Sequence, residues 1–215
     1  MRFLITAGGT REYLDPVRFI SNASSGKMGF ALARAALRAG HKVTLIAAPT
    51  TERPPSGGKI IKVESAAEMF AAVRKHFARC DCLIMAAAVS DYTPARQAKS
   101  KIKRAGKSLT LRLKPTADIL RWAGAHKRIE SKPAKGKRQI VVGFALEDKN
   151  LRERAEQKLR EKNLDMIIAN SVAAIGAEKS TVEIKGRGSE WVSAKNASKD
   201  AIAKRIISLV EGLSE

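Results

Sequence analysis

The stretch RFLITAGG, Arg2–Gly9, and the later stretch SNASSGKMG, Ser21–Gly29, decide the fold class of this 215-residue chain. The first is an apolar strand that ends in two glycines, and the second leads into a helix-forming run that ends at Gly40. A glycine-rich entry to a helix exposes unpaired backbone N–H groups that bind anions. The candidate phosphate contacts are therefore Gly8, Gly9, Ser24, Ser25, Gly26 and Lys27.

The second stretch is not a Walker A loop. That motif, G-x-x-x-x-G-K-[ST], needs a glycine at its first position and a hydroxyl that binds Mg²⁺ at its last. Aligned on Gly26 and Lys27, the chain has Ser21 at the first position and Met28 at the last. The sequence therefore excludes a P-loop NTPase.

Strands and helices alternate along the chain. One helical run begins at Ser65, where Glu68 completes a capping box. Nearly continuous apolar runs predict buried strands at residues 41–49, 81–89, 139–146 and 164–172. The alternation predicts a Rossmann-like α/β fold with a doubly wound, mostly parallel sheet. In such a sheet the ligand lies beyond the carboxyl ends of the strands.

Three further segments complete a single domain over residues 1–215. Leucines at alternate positions of Ser108–Pro115 predict a half-buried strand. Residues 181–194 predict a hairpin that turns at Arg187 and Gly188, which extends the sheet near the C-terminus. The last segment predicts an amphipathic helix whose apolar face carries Ile202, Ile206, Leu209 and Val210.

The net charge of +20 is the most unusual feature of the composition. A pI near 10.4 favours polyanionic partners such as nucleotides or nucleic acid. The basic residues are spread along the chain, however, and aromatic residues are only 5%, so stacking platforms for single strands are scarce. Nucleic-acid binding is therefore not favoured as the main role, and the purpose of the net charge stays open.

The expected cellular location is inferred from two kinds of segment that the sequence does not show. It has no apolar run long enough to span a bilayer and no signal peptide at its N-terminus. We therefore expect a cytoplasmic protein with no membrane partner. Cys80 and Cys82 are too close for an ordinary disulfide and too few for a zinc site, so we expect reduced, structural thiols.

An NAD(P)-dependent oxidoreductase is the first alternative for this fold. Its fingerprint is G-x-G-x-x-G after the first strand and an acidic residue at the end of the second. The chain instead has AGGTRE after the first strand and AAPT after the second. The dehydrogenase hypothesis is therefore disfavoured.

Several motifs together resemble one enzyme family. They are ITAGGTREYLDPVRFISNASSGKMG at residues 5–29, AAAVSDY at 86–92, KIKR at 101–104 and KNLDMIIAN at 162–170. Their order and spacing resemble phosphopantothenate–cysteine ligase, the phosphopantothenoylcysteine synthetase half of the bifunctional coenzyme A biosynthesis flavoproteins. The resemblance runs from Phe3 to about Val172.

This resemblance implies a two-step reaction. CTP, accompanied by Mg²⁺, activates the carboxylate of 4′-phosphopantothenate as an acyl-cytidylate and releases pyrophosphate. The amine of L-cysteine then attacks the anhydride, which gives the amide and CMP. The resemblance also implies a homodimer paired through the hairpin-bearing region. Neither FMN nor decarboxylation is expected of this chain, because the flavin-binding half is missing. A separate phosphopantothenoylcysteine decarboxylase chain is one candidate partner.

Site residues are carried over from the family by position. Asn22 matches the asparagine that holds the acyl carbonyl, and Lys101 matches a lysine on a flexible flap at about residues 93–107 that closes over the triphosphate. Protein metal ligands are not implied, since Mg²⁺ is bound through the nucleotide phosphates. The implied nucleotide contacts are Lys101 together with Met85, Ala86, Ala87, Asp91, Thr116, Ala117, Asp118, Ile119, Phe144, Lys158 and Lys162.

Departures from the family and rival hypotheses remain at this point. Ala117 replaces a proline of the family's base-binding segment, and Ala23 replaces a histidine after Asn22. The sequence does not distinguish CTP from ATP, nor a stand-alone ligase from a piece of a bifunctional protein. A basic Rossmann-like protein that binds nucleotide or nucleic acid without turnover is the alternative of a different class.

Overall fold

The computed structural model describes residues 1–104, 106, 108–129, 138–174 and 176–214. Among these residues, no helix is both long and apolar enough to cross a lipid bilayer. In chain order the elements are β1 (Arg2–Ala7), β2 (Arg11–Tyr13), β3 (Phe19–Ser21), α1 (Lys27–Arg38), β4 (Lys42–Ala47), β5 (Lys59–Lys62), α2 (Ala66–Phe77), β6 (Cys82–Met85), β7 (Tyr92–Pro94), β8 (Leu113–Pro115), α3 (Ile119–His126), β9 (Ile140–Glu147), α4 (Leu151–Glu161), β10 (Met166–Ser171), β11 (Lys179–Gly186), β12 (Val192–Ser198) and α5 (Lys199–Gly212).

A single large sheet carries the fold. Its described strands lie in the order β12-β11-β10-β9-β6-β1-β4-β5, and those from β10 to β5 run parallel. Counted along the chain, the parallel strands have the spatial order 3-2-1-4-5-6, which is typical of Rossmann folds. The predicted fold class is therefore confirmed. The order in which successive strands are added to the sheet reverses between β1 and β6, so the crevice for a ligand opens there.

The two faces of the sheet are covered by different helices. Helices α1 and α5 pack on one face, where Phe30, Leu32, Ile202 and Ile206 are buried. Helices α2, α3 and α4 pack on the other, around side chains such as Met69. Since both faces are covered, the parallel strands consist mainly of apolar residues, as the continuous sequence runs indicated.

The close approach of α1 to β1 depends on Gly29. A Cβ atom at this position would lie 2.5 Å from the Cβ of Ala7 and 2.8 Å from the carbonyl oxygen of Thr6. No other residue type could keep the helix this near the strand. The contact places the N-terminus of α1 directly beyond the end of β1.

Local signals at the helix ends were good predictors. Ser65 Oγ accepts a hydrogen bond from the Glu68 N–H at 3.1 Å, as the predicted capping box requires. The Glu68 carboxylate accepts from the N–H of Glu64 rather than from that of Ser65. Gly40 follows α1 with a φ of 79°, a left-handed conformation suited to glycine.

The prediction of a half-buried strand over Ser108–Pro115 is wrong. Only Leu113–Pro115 forms a strand, and it pairs with the equally short β7 instead of joining the large sheet. Leu109, Leu111 and Leu113 are all exposed. Alternating leucines produce the two-residue period of a strand, but no neighbouring layer covers them. The β2–β3 pair was also missed, because three residues are too few to show a period.

The C-terminal segments agree better with expectation. The hairpin of β11 and β12 pairs antiparallel and continues the sheet beyond β10. Ile202, Ile206 and Val210 are buried on α5, and Leu209 is partly buried beside them. Both cysteines are buried free thiols, and burial raises the pKa of Cys80 to about 11.

Candidate active site

A cavity of about 530 Å³ lies beyond the carboxyl ends of β6, β9 and β10 and beside the start of α1. It brings together most of the predicted site residues, which come from widely separated parts of the chain. Those that line it are Asn22, Ser24, Ser25, Gly26, Lys27, Met85, Ala86, Ala87, Asp91, Thr116, Ala117, Asp118, Ile119, Phe144, Lys158 and Lys162. Lys101, Gly8 and Gly9 are not among the lining residues.

The first wall is the loop that enters α1. Gly26 occupies the N-cap position with a φ of 80°, and no side chain caps the helix there. Thr50 Oγ1 donates to the carbonyl oxygen of Ser25 at 2.6 Å and fixes the loop against the end of β4. Ser25 Oγ accepts from the N–H of Lys27 at 3.4 Å, and Gly26, Lys27 and Met28 line the cavity, so an anion bound there could accept hydrogen bonds from the first turn of α1.

Gly8 and Gly9 support this wall from beneath. A Cβ at Gly8 would lie 2.7 Å from the carbonyl oxygen of Ala48, and one at Gly9 would lie 2.9 Å from that of Asn22. The glycine pair therefore allows the entry loop to pack closely on the sheet.

The second wall is the segment after β6. Two threonine hydroxyls hold it in place: Thr6 Oγ1 accepts from the N–H of Ala87 at 3.1 Å, and Thr10 Oγ1 accepts from the N–H of Ser90 at 2.9 Å. Both threonines are fully buried. This segment is thus a rigid, alanine-lined surface on which a flat ring could lie.

Asn22 links the first wall to the second. Its Nδ2 donates to the carbonyl oxygens of Ala88 at 3.3 Å and Val89 at 3.1 Å. Both amide N–H groups therefore have main-chain acceptors in this structure. Any substrate oxygen that binds Asn22 Nδ2 must compete with those two carbonyls.

The third wall consists of α4 and the N-terminus of α3, and its charges are largely paired. Asp118 caps α3 by accepting from the Arg121 N–H at 2.9 Å, and it forms an ion pair with Lys162 Nζ at 2.9 Å. Burial opposes ionisation of Asp118, but these contacts hold its pKa below the usual value. Lys158 Nζ donates to the carbonyl oxygen of Phe144 at 2.7 Å, and burial, followed by the charge of Lys162, lowers the pKa of Lys158.

Lys101 lies in a segment that is docked away from the cavity lining. The next residue, Ile102, donates its N–H to Asp15 Oδ2 at 3.0 Å, and its carbonyl oxygen accepts from Arg18. Asp15 is inaccessible to solvent, and the Ile102 N–H is the largest cause of its lowered pKa. Residues 105 and 107 of the predicted flap lie outside the described part of the chain.

A family model matches residues 1–213, and its description is DNA/pantothenate metabolism flavoprotein, C-terminal domain. The chain belongs to this family.

Individual relatives agree with the family assignment. The chain is 46% identical over 175 residues to the Coenzyme A biosynthesis bifunctional protein CoaBC of Bacillus subtilis. The matched region covers 81% of this chain and 41% of the relative. It is 48% identical over 177 residues to a Cysteine/Cysteine sulfinic acid decarboxylase from an unknown prokaryotic organism, covering 82% and 47%. The chain thus spans about half the length of the curated relatives it matches.

A solved structure extends the similarity to the whole fold. The crystal structure of the C-terminal domain of a Coenzyme A biosynthesis bifunctional protein CoaBC superposes with a TM-score of 0.83. The two chains are 37% identical, and the match covers 99% of this chain and 94% of the other.

Two polar side chains that line the cavity were not among the contacts predicted from the sequence. Asn170 lies at the end of β10, and Lys199 is the first residue of α5. Asn170 belongs to a predicted strand end and could have been found from the topology. Lys199 could not, because only the β11–β12 hairpin returns the chain to the cavity.

Metal ligation is the remaining question for the site. Within the described ranges, no group of three or more His, Cys, Asp or Glu side chains is arranged to hold a metal ion. The donors that face the cavity are amide, hydroxyl, ammonium and backbone groups together with the single carboxylates of Asp91 and Asp118.

Proposed function

We propose that this chain joins 4′-phosphopantothenate to L-cysteine at the expense of a nucleoside triphosphate, with CTP as the expected nucleotide. The observation that carries the proposal is the single cavity in which Asn22, the alanine-lined segment after β6 and an uncapped helix N-terminus meet. Membership of the family and the names of the relatives support it.

The first step would activate the substrate carboxylate. One carboxylate oxygen attacks the α-phosphorus of the nucleotide, the bond to the bridging oxygen breaks, and pyrophosphate leaves with the electron pair. Backbone N–H groups at the start of α1 would bind phosphate oxygens. Mg²⁺ would be held mainly by the phosphates, which neutralises charge that builds up on the leaving pyrophosphate.

The second step would form the amide bond. The amine of L-cysteine attacks the acyl carbon, loses a proton, and expels the nucleoside monophosphate. No enzyme nucleophile is needed, since the nucleotide supplies the leaving group. Asn22 would stabilise the acyl oxygen once its Nδ2 rotates away from the carbonyl oxygens of Ala88 and Val89. Losing one such donor typically costs about 3 kcal/mol of transition-state stabilisation.

The nucleoside would lie along the second and third walls. Alanines 86 and 87 leave room for a flat ring, and Phe144 provides an aromatic neighbour. Asp91 would contact the ribose. Lys101 would act after its segment leaves the contacts with Asp15 and Arg18, so that the ammonium group can close over the triphosphate.

The assembly and location of the protein are also part of the proposal. We infer a homodimer. The exposed side chains of Val17, Phe19, Tyr92, Leu111 and Leu113 offer apolar surface that pairing would bury, and they lie on the β2–β3 and β7–β8 segments rather than on the β11–β12 hairpin that the resemblance implies. A cytoplasmic location fits the proposed substrates.

Pyrophosphate release tests the proposal. Purified protein is mixed with Mg²⁺, 4′-phosphopantothenate, L-cysteine and either CTP or ATP. We expect stoichiometric pyrophosphate and amide product with at least one nucleotide, and faster turnover with CTP. Binding of nucleotide without pyrophosphate release would instead identify a binding module, and release of CO₂ would identify a decarboxylase.

Two variants separate the half-reactions in the same assay. Asn22→Asp should still release pyrophosphate but should accumulate acyl-cytidylate, which mass spectrometry detects. Lys101→Gln should slow pyrophosphate release itself. Normal product formation by Asn22→Asp would remove Asn22 from the mechanism, and an unchanged burst with Lys101→Gln would remove the flap lysine.

A further inference from the structure

Four lysines line the cavity, and they differ in how their charges are balanced. Lys162 forms an ion pair with Asp118, and Lys158 is buried against the Phe144 carbonyl, with Glu147, Asp118 and Asp91 raising its pKa against the effect of burial. Lys27 and Lys199 stand apart. Neither forms an ion pair with a carboxylate of the described residues, and the charge of Lys27 adds to burial in lowering the pKa of Lys199.

Two hydrogen bonds hold the Lys199 ammonium group in place and leave one of its N–H donors for a ligand. Its Nζ donates to Ser180 Oγ at 3.0 Å and to the carbonyl oxygen of Ala174 at 3.3 Å. An ammonium group has three N–H donors. The third donor of Lys199 has no acceptor among the described residues, and the side chain lines the cavity. Ser180 and Ala174 thus orient the ammonium without neutralising it.

Helix packing brings the two unbalanced lysines together. Lys27 opens α1, Lys199 opens α5, and these helices pack against each other on one face of the sheet. Lys27 is exposed and Lys199 is half-buried, and because their like charges repel each other, an anion bound between them would be attracted by both. The Lys158–Lys162 side lies on the opposite face, where Asp118 already supplies the counter-charge.

We propose that Lys199 and Lys27 bind the polyphosphate of the nucleotide substrate, beside the loop that enters α1. The anion's identity as a nucleotide polyphosphate rests on the proposed function, but the anion site itself rests on the geometry above. Lys199 is a binding residue contributed by the C-terminal helix, and the β11–β12 hairpin precedes that helix directly in the chain.

Isothermal titration of the full chain with inorganic tripolyphosphate tests this site without any turnover. Lys199→Gln should weaken tripolyphosphate binding about tenfold or more, as expected for loss of one charged hydrogen bond. Lys199→Arg should retain much of the affinity. Cytidine binding should be the same in the wild-type protein and in Lys199→Gln, because the nucleoside lies on the other side.

Lys204→Gln is the matched control, because Lys204 lies on the same helix, is exposed and carries the same charge. It should change the affinity less than twofold. Equal weakening by both variants would show that only the overall field matters and would overturn the proposal, as would no weakening by Lys199→Gln. If Lys199→Gln does not fold, Ser180→Ala serves instead, because it removes the hydroxyl that orients the ammonium and should weaken binding more than Lys204→Gln does.

Two more measurements separate this proposal from its premise. Titration with 4′-phosphopantothenate distinguishes a polyphosphate site from a phosphate monoester site. Lys199→Gln should leave the affinity for 4′-phosphopantothenate unchanged. A tenfold loss of affinity for 4′-phosphopantothenate, with tripolyphosphate binding unchanged, would reassign the anion and overturn the proposal. Tripolyphosphate binding that depends on Lys199, in a protein that releases no pyrophosphate, would support the anion site and reject the proposed function.

Discussion

The two ends of the central sheet use polar groups in opposite ways. At the amino ends of β9 and β10, Asp165 is 1% exposed and accepts hydrogen bonds from Lys127 Nζ at 2.8 Å, from the Val141 N–H at 2.8 Å and from Arg138. At the carboxyl ends, the ammonium groups of Lys27 and Lys199 face a cavity without a carboxylate partner among the described residues.

This difference separates groups that stabilise the fold from groups that serve a ligand. A buried charge is tolerated when its partners are complete, as at Asp165, and removing a partner then exposes the full cost of desolvation. Unbalanced charges at the carboxyl end gain their partner only when an anion binds. Substitutions at the amino end should therefore change stability, and substitutions at the carboxyl end should mainly change binding.

The largest expected effect is at Asp165. Asp165→Asn leaves the buried ammonium of Lys127, whose side chain is 6% exposed, without a counter-charge. We expect the free energy of unfolding to fall by about 3–5 kcal/mol, measured by urea denaturation.

Asp118→Asn is the matched control at the other end of the sheet. Asp118 also pairs with a lysine, but its side chain is 39% exposed, and asparagine is an equally good N-cap for α3. We expect a loss below about 1 kcal/mol. Similar losses for the two variants would mean that the ends of the sheet do not differ in the way described.

A smaller effect is expected where the fold positions the site. Gly29→Ala places a methyl group within 2.5 Å of Ala7 Cβ, so α1 must shift away from β1. Overpacking of this kind costs about 1–3 kcal/mol. Thermal unfolding measures that loss, and tripolyphosphate titration should show weaker binding because the N-terminus of α1 moves.

Gly212→Ala provides the comparison for this prediction. It adds the same methyl group at the last residue of α5, where no heavy atom lies within 4 Å. Stability should stay the same or rise by up to about 1 kcal/mol, because alanine is the better helix former. A stable Gly29→Ala variant with normal binding would show that the close packing of α1 on β1 does not position the site.

The sequence predicted the large sheet because each of its parallel strands is covered on both faces. Runs such as residues 81–89 and 139–146 are almost entirely apolar in that environment, and the helices before and between them carry their own caps. The wrong strand at Ser108–Pro115 shows the limit of this reasoning. Its alternating leucines fit a half-buried strand, yet burial depends on a second layer that no local pattern encodes.

The cavity was predictable to a similar degree. Strand ends converge by topology, so the segment after β6 and the loop before α1 could be placed together from the sequence. The pairing of charges in the cavity could not be predicted from the sequence. Lys162, whose Nζ lies 2.9 Å from a carboxylate oxygen of Asp118, cannot be distinguished in the sequence from a lysine without a carboxylate partner. Lys27 and Lys199 are also 172 positions apart in the chain, so no local pattern connects them.

The smallest expected effect is at an exposed ion pair that also lies at the amino end of the sheet. Arg2 Nη2 lies 2.7 Å from Asp81 Oδ1, with side chains 57% and 26% exposed. Arg2→Gln keeps the backbone N–H of residue 2, which donates to Asp81 Oδ2, and removes only the guanidinium. The free energy of unfolding should therefore fall by less than about 1 kcal/mol, and the difference from wild type should shrink in about 1 M salt, where the Debye length is about 3 Å. Urea denaturation at low and high salt measures both quantities.

Because Arg2–Asp81 and Lys127–Asp165 lie at the same end of the same sheet, comparing the two losses separates the effect of burial from the effect of position. A loss of several kcal/mol at Arg2 that persists in high salt would mean that the strand ends themselves, rather than the burial of Asp165, make charge pairs at this end costly to remove.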